Sequence, residues 1–393
     1  MTTVSSPLAS APEDRAGAVL TIDLAALVEN WRALKRLAPG CDVGAVVKAD
    51  AYGLGLAPVA QAVKAAGCTT FYVAHLDEAV AARTALGAVP RVICMHGPTP
   101  GRTERDFAAF GIIPVLSTPE QIKAWRNFAD RNDVLMESIV QVDTGMNRLG
   151  LTATEFESHM DDPDGFLGLH PLALMSHLAC ADTPAHPLNQ RQREQFAANL
   201  ARFRGKFADA KGSLSNSAGL LLGPAWHADL ARPGIALYGS NPRALDPAVP
   251  IWPTVPVVRL SARILQVRRV DAQSPVGYGA TTLASDGAKL ATVSMGYADG
   301  LLRAASPGGH GMLDGQRVLM VGRVSMDLCT FDVSNVADSG ARAGGFIDLI
   351  GPGHTVDDLA REAGTVGYEI LTALGGRFHR RYLSAAPVVA SRP

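Results

Sequence analysis

From about Val19 to Leu237 the chain alternates short apolar runs with amphipathic stretches at helical spacing, and this alternation most limits the folds open to it. Asp23 can cap a helix in which Leu24, Leu27, Val28, Trp31 and Leu34 recur on one face. Similar stretches occupy residues 56–66, 77–86, 119–130 and 188–206. Strand candidates lie at 43–47, 71–73, 92–95, 112–115, 139–142, 172–175, near 213–215, and at 235–237. Eight such units predict a closed (β/α)8 barrel of the TIM type rather than an open doubly wound sheet. After Tyr238 the texture changes. Pro242, Pro247, Pro250, Pro253 and Pro256 read as a linker, and alternating segments at 257–260, 264–267, 290–295, 317–321 and 346–350 predict a mainly β C-terminal domain. A short helix is expected after Thr355, which has capping-box spacing to Asp358. The expected organisation is a disordered leader over 1–17, a barrel over 18–245 and a β domain over 246–393.

The chain's 393 residues exceed what one hydrophobic core usually serves, and its 47% apolar content supports two. Lys plus Arg total 36 against 37 for Asp plus Glu, so no global field attracts nucleic acid or a charged membrane, and the partner is expected to be small. No apolar run approaches the roughly 20 residues that span a bilayer. The N-terminal residues lack a basic start followed by an apolar stretch, so no signal peptide is read there. Five cysteines, Cys41, Cys68, Cys94, Cys180 and Cys329, are scattered without CxxC spacing, which argues against a disulfide framework and a zinc site and for the cytoplasm. No metal is expected.

The string VVKADAYGLG, residues 46–55, places Lys48 at the carboxyl end of an apolar, β-branched strand, the end at which α/β folds collect ligands. A lysine partly removed from water there has its ammonium form disfavoured, which frees the amine as a nucleophile able to form a Schiff base. Tyr52, Gly53 and Gly55 add a hydroxyl and permissive backbone suited to approaching a phosphate at the start of the next helix. A lone lysine at a strand end is ordinarily a solvated surface group, so the surrounding string carries the reading.

KADAYGLG closely resembles the cofactor-lysine motif of alanine racemases, fold-type III enzymes that use pyridoxal 5'-phosphate (PLP). Further segments keep that family's order: DTGMNRLG at 143–150, MSHLACAD at 175–182, SNSAG at 215–219, RPGIALYG at 232–239, VGYG at 276–279, MGYADG at 295–300 and GRVSMDL at 322–328. The resemblance implies that Lys48 tethers PLP and that Tyr52, Ser217, the Gly234 and Ile235 amides and Tyr368 hold its phosphate. It implies that Arg148 contacts the phenolic oxygen and the substrate carboxylate, and that His177 lies between the catalytic tyrosine and Arg232. Arg232 would face the pyridine nitrogen. With a pKa above ~12 a guanidinium accepts no proton, so the ring stays largely neutral and side reactions such as transamination are suppressed.

Racemisation needs two groups on opposite faces of a planar carbanion. By resemblance these are Lys48 and Tyr278, the latter's hydroxyl helped by a cationic neighbourhood. Tyr297 would narrow the entrance, and Met326 and Asp327 would line the substrate site. These β-domain residues face the PLP of the other subunit in the family, so a homodimer whose sites are completed by the partner is implied. The chain departs from the family where Asn147 stands for a frequent glycine and Gln141 for a frequent, sometimes carbamylated, lysine.

The expected activity is interconversion of L- and D-alanine, supplying D-alanine for peptidoglycan or serving alanine catabolism. Three alternatives compete with it. A broad-specificity amino-acid racemase differs mainly at the entrance, where DTGMNRLG and Tyr297 favour a small substrate. A non-enzymatic PLP-binding protein needs no β-domain base such as Tyr278. Barrel-type PLP decarboxylases favour a protonated ring, which Arg232 opposes.

Overall fold

The computed structural model describes residues 12–244 and 254–384, which fall into two compact units. One runs from Val28 to Leu237. Seven parallel strands follow one another around it in chain order: Ala45–Val46, Thr70–Val73, Arg91–Cys94, Ile113–Leu116, Met136–Gln141, Leu169–Met175 and Lys211–Ser213. Most of their residues are buried, as strands covered on both faces require. An eighth, Leu230–Ala231, pairs in parallel with Asp42–Val43. It closes the ring through Asp229 N–H to Gly212 O (3.0 Å) and Arg232 N–H to Ser215 O (2.9 Å) on one side, and Gly44 N–H to Ala231 O (3.0 Å) on the other. The (β/α)8 barrel is therefore present.

The expected helices form as Leu56–Ala65, Leu76–Leu86, Pro119–Asn132 and Pro187–Lys206. Pro119 occupies the first turn of its helix, and the Thr118 hydroxyl accepts the Gln121 amide hydrogen. Aromatic side chains fill the layer between helices and strands. Trp125 stacks on Phe128 at 5.7 Å, and Phe203 lies 4.8 Å from Phe207 between centroids.

Three expectations change. The run at 235–237 is not a strand: Ile235–Tyr238 is a 3-10 turn, because Pro233 has no N–H to donate and the ladder stops at Ala231. Its residues are as buried as a core strand, which a short apolar run alone cannot distinguish. The segment from residue 18 does not open the barrel. Ala18–Asp23 pairs antiparallel with Val258–Arg269 and parallel with His379–Leu383, and so belongs to the other unit. Part of the expected leader is also placed: Ala16 is buried, and Arg263 donates to the main-chain oxygens of Ala16 (3.0 Å) and Glu13 (2.8 Å). Residues 1–11 and the expected boundary at 245 lie outside the described residues.

The second unit is mainly antiparallel β. Val258–Arg269, Lys289–Val293, Cys329–Asp332, Gln316–Val321, His310–Leu313 and Phe346–Ile350 pair in that order, and Phe346–Ile350 returns to Val258–Arg269, giving a closed ring. Val258–Arg269 is long enough to serve several neighbours because bulges after Leu260 and Ile264 bend it. Thr355 caps Val356–Glu362 with a capping box to Asp358, as expected. Among the described residues no helix is long and apolar enough to cross a membrane.

Leu20 is fully buried between its two partner strands. Leu20→Ala is expected to cost about 2–5 kcal/mol of stability. In hydrogen exchange the loss should appear first at 258–262 and 379–383. Earlier loss in the barrel strands would contradict this pairing.

Candidate active site

Val47 donates its N–H to Tyr72 O (2.8 Å), the last barrel bond before Lys48 leaves the strand. Ala49, Asp50, Ala51 and Tyr52 then adopt φ of 52–56°, a left-handed turn built without glycine. Each such residue costs roughly 1–2 kcal/mol. The turn is held from outside. Glu78 Oε1 accepts the Ala49 amide (2.6 Å) while Oε2 accepts those of Ala74 and His75 (2.8 and 3.1 Å), and Asp50 Oδ1 accepts the Leu56 amide (2.7 Å). Lys48 is half-buried, and its ammonium is disfavoured first by desolvation and then by the Arg148 guanidinium, with Glu78 opposing.

Beside this turn lies a polar cradle. The Ser217 hydroxyl accepts the Gly234 amide (2.9 Å) and the Ala236 amide (3.3 Å), while Asn216 caps the short helix that Ser217 opens, through Gly219 N–H (2.9 Å). A Cβ at position 234 would collide with the Tyr52 hydroxyl, so glycine is required for that approach. Ile235 begins the following turn. The Ser217 and Tyr52 hydroxyls meet the Gly234 main chain here, groups of the kind that bind a phosphate.

Arg232 is buried, and its acceptors are neutral: the Ser213 hydroxyl, Ser176 O (2.7 Å) and Leu214 O (3.4 Å). Burial pulls its pKa down to about 10, which leaves it cationic at neutral pH. Its Nη2 lies 3.4 Å from Nδ1 of His177, whose Nε2 is 3.4 Å from Asn216 Nδ2. Desolvation first, then the charges of Arg232, Arg148 and Lys48, lower the His177 pKa to about 3, so the ring is neutral.

Arg148 is exposed on a loop folded around Asp143, whose carboxylate accepts the amides of Gly145 (2.8 Å), Met146 (2.9 Å) and Asn147 (2.9 Å). Asn147 has φ of 55°, a conformation that asparagine tolerates better than most side chains, which accounts for the departure from glycine. Buried Gln141 donates to Leu149 O (3.1 Å) in the same loop and accepts from the Ser117 hydroxyl (3.5 Å). It thus holds the loop's main chain without a charge.

The remaining candidates belong to the β unit. Tyr278 is 74% exposed, and its loop packs on Gly322 and Arg323. The Tyr297 and Ala298 amides bond to Ser325 O and Met326 O (both 3.0 Å), and Gly296 leaves no room for a Cβ there. Tyr297 and Met326 are consequently neighbours, both exposed. Asp327 pairs with Arg377 (2.8 Å), which also holds buried Asp299 (2.6 Å). Tyr368 lies on Gly367–Ala373 and is 40% exposed.

Sequence reasoning missed several positioning groups. Glu78 had one legible signal, its capping-box spacing from His75. Asp143, Asn216 and Ser213 lay beside recognised residues, whereas Arg377 had no local signal.

A polar cradle and a partly desolvated lysine at the mouth of a parallel barrel, followed by an antiparallel β domain, define a class of barrel enzymes with a lysine at the carboxyl end of their first strand. Residues 22–242 match the family model for the alanine racemase N-terminal domain, and residues 257–382 that for the C-terminal domain. An alanine racemase of Rhodospirillum rubrum is 50% identical over 371 residues, covering 94% of this chain and 97% of that protein. A catabolic alanine racemase of Mesorhizobium japonicum is 44% identical, covering 94% of each. The crystal structure of the Bartonella henselae alanine racemase with covalently bound pyridoxal phosphate superposes with a TM-score of 0.87 at 36% identity, covering 94% of this chain and all of that one. The chain belongs to the alanine racemase family.

The folded-state pKa of about 3 for His177 lies below the ~6.5 of an unfolded histidine. As pH falls through that window only the unfolded chain gains the proton, so stability is lost, by at most on the order of 1 kcal/mol per pH unit. His177→Gln should flatten this slope in denaturant midpoints measured across it. An unchanged slope would show that His177 is charged in the folded chain.

Proposed function

We propose that this protein interconverts L- and D-alanine with PLP held covalently by Lys48 and a second base, Tyr278, donated by the partner subunit of a homodimer. The observation that carries the reading is the half-buried Lys48 amine beside the cradle of Tyr52, Ser217 and Gly234, its ammonium disfavoured by desolvation and by the Arg148 charge. When bound, PLP supplies an electron sink that acidifies the Cα proton of an amino acid joined to it.

Ser217, the Gly234 and Ile235 amides, Tyr52 and Tyr368 would take the phosphate. Arg232, charged below about pH 10, offers only N–H donors, so a ring nitrogen facing it stays unprotonated. Arg148 would bind the substrate carboxylate, a role its planar fork suits. Lys48 Nζ, favoured in its neutral form, moves the proton on one face, and the Tyr278 hydroxyl moves it on the other. Neutral His177 offers that phenol a ring nitrogen beside the Arg232 charge. Tyr297, Met326 and Asp327 would restrict the entrance to a small side chain.

The 74% exposure of Tyr278 and the exposure of the neighbouring pair Tyr297 and Met326 in a single chain support a covering partner. All five cysteines are free, consistent with work in the reducing cytoplasm. The product serves either peptidoglycan precursors or alanine breakdown.

Borohydride reduction should fix PLP to Lys48, located by mass spectrometry, and Lys48→Ala should abolish the adduct. In deuterated water Tyr278→Phe should slow deuterium entry at Cα of L-alanine on the order of 10²–10⁴-fold while D-alanine still exchanges with retention; equal losses would overturn the face assignment. Mixing inactive Lys48→Ala and Tyr278→Phe chains should restore up to about a quarter of wild-type activity, because one mixed-dimer site has both bases. No restoration would place both bases in one chain. Comparable turnover of lysine, arginine and alanine would favour a broad-specificity racemase.

A further inference from the structure

Away from the groups discussed so far, the β unit brings two histidines and a glutamate together from three elements. His310 opens the strand His310–Leu313, His354 closes the turn after Phe346–Ile350, and Glu362 ends the helix Val356–Glu362. The turn is fixed by reciprocal main-chain bonds between Gly351 and His354 (2.8 and 3.1 Å). One donor atom from each of the three side chains lies within 4.8 Å of the other two.

The cluster is enclosed. His354 is fully buried, His310 is 9% exposed, and the Glu362 side chain is 17% exposed. The two imidazoles lie 3.8 Å apart between centroids. Glu362 reaches both: Oε1 bonds Nδ1 of His310, and Oε2 lies 3.3 Å from Nε2 of His354 and accepts the His310 amide (3.2 Å). The His354 ring bonds to the Leu349 main chain, but the Nε2 that faces Glu362 makes no hydrogen bond of acceptable geometry. Buried polar atoms are rarely left so, because each costs about 1–3 kcal/mol.

We propose that His310, His354 and Glu362 form a binding site for a zinc-class divalent cation, with a water as fourth ligand. In a tetrahedral zinc site with bonds of about 2.0–2.1 Å, neighbouring ligand atoms lie about 3.3 Å apart. The His354–Glu362 separation already has that value. The His310–Glu362 contact is shorter, and a cation entering there takes the place of the shared proton. Two imidazoles and one carboxylate suit zinc and its late first-row neighbours, whereas calcium and magnesium demand six or more oxygens. Arg317, 3.9 Å from Glu362 Oε1, is the nearby cation, and its side chain is 59% exposed and free to swing outward. The bound ion would pin the helix Val356–Glu362 to the strand His310–Leu313, a stabilising role independent of the racemase reading.

The test uses the untagged full chain, freed of metal by chelator and titrated with zinc against a chromophoric chelator. One zinc per chain is expected, with a raised unfolding temperature. Glu362→Gln and His354→Gln should each weaken binding at least about tenfold, whereas His379→Gln, remote in the same unit, should not. Should His354→Gln fail to fold, the zinc X-ray absorption spectrum of the wild-type chain decides: two imidazoles in the first shell are expected. Substoichiometric binding, equal affinity in Glu362→Gln, or a shell without imidazole overturns the proposal.

Discussion

A guanidinium carried into the barrel without a carboxylate sets the conditions for the groups around it. Arg232 is held by a hydroxyl and two main-chain oxygens, all neutral, so its charge is solvated but not cancelled. That uncancelled charge acts with Arg148 on His177, and Arg148 acts on Lys48, pushing both toward their neutral forms. A cleft holding two fixed cations, with Glu78 engaged by three main-chain amides, carries an electrostatic demand for anions. A phosphate and a carboxylate answer that demand, and a neutral small molecule would not. The Arg148 charge also adds to desolvation, the larger cause, in disfavouring the Lys48 ammonium, so a group that attracts anions helps to keep that amine neutral.

The second constraint is conformational. Four successive left-handed residues follow Lys48, at a combined cost that local sequence does nothing to relieve, since none is glycine. The strain persists because Glu78 and Asp50 hold the turn by hydrogen bonds from both sides. Its result is a chain that reverses within a few residues, so that Tyr52 returns to Gly234 while Lys48 stays at the strand end. A right-handed helix from the same point would carry the tyrosine along the helix axis instead.

The barrel was legible because its strands are buried on both faces and read as continuous apolar runs, and because its helices carry apolar stripes. What was illegible involved pairing over long sequence distances. Ala18–Asp23 looks like the first strand of a βα unit, yet its partners lie more than two hundred residues away, and local periodicity contains no record of them. His310–Leu313 and His379–Leu383 carry histidine and arginine rather than alternating apolar residues, so neither announced itself. At the candidate site, residues inside contiguous strings were readable and those reaching in from other elements were not. Arg377, which ties Asp299 to Asp327, is the clearest example.

Gln141 shows how a substitution at a charged position can be absorbed. A charged side chain there would act on Arg148 directly, whereas an amide can only grip the loop. Gln141 does grip it, through Leu149 O, while Asp143 gathers three consecutive amides from the loop's other end. The main chain on either side of Arg148 is thereby fixed although its guanidinium has no anionic partner from Gln141. The loop is held without charge compensation from Gln141, which leaves the Arg148 charge open to whatever anion enters. For a residue expected to bind a carboxylate, that difference acts on affinity for the ligand rather than on the integrity of the fold.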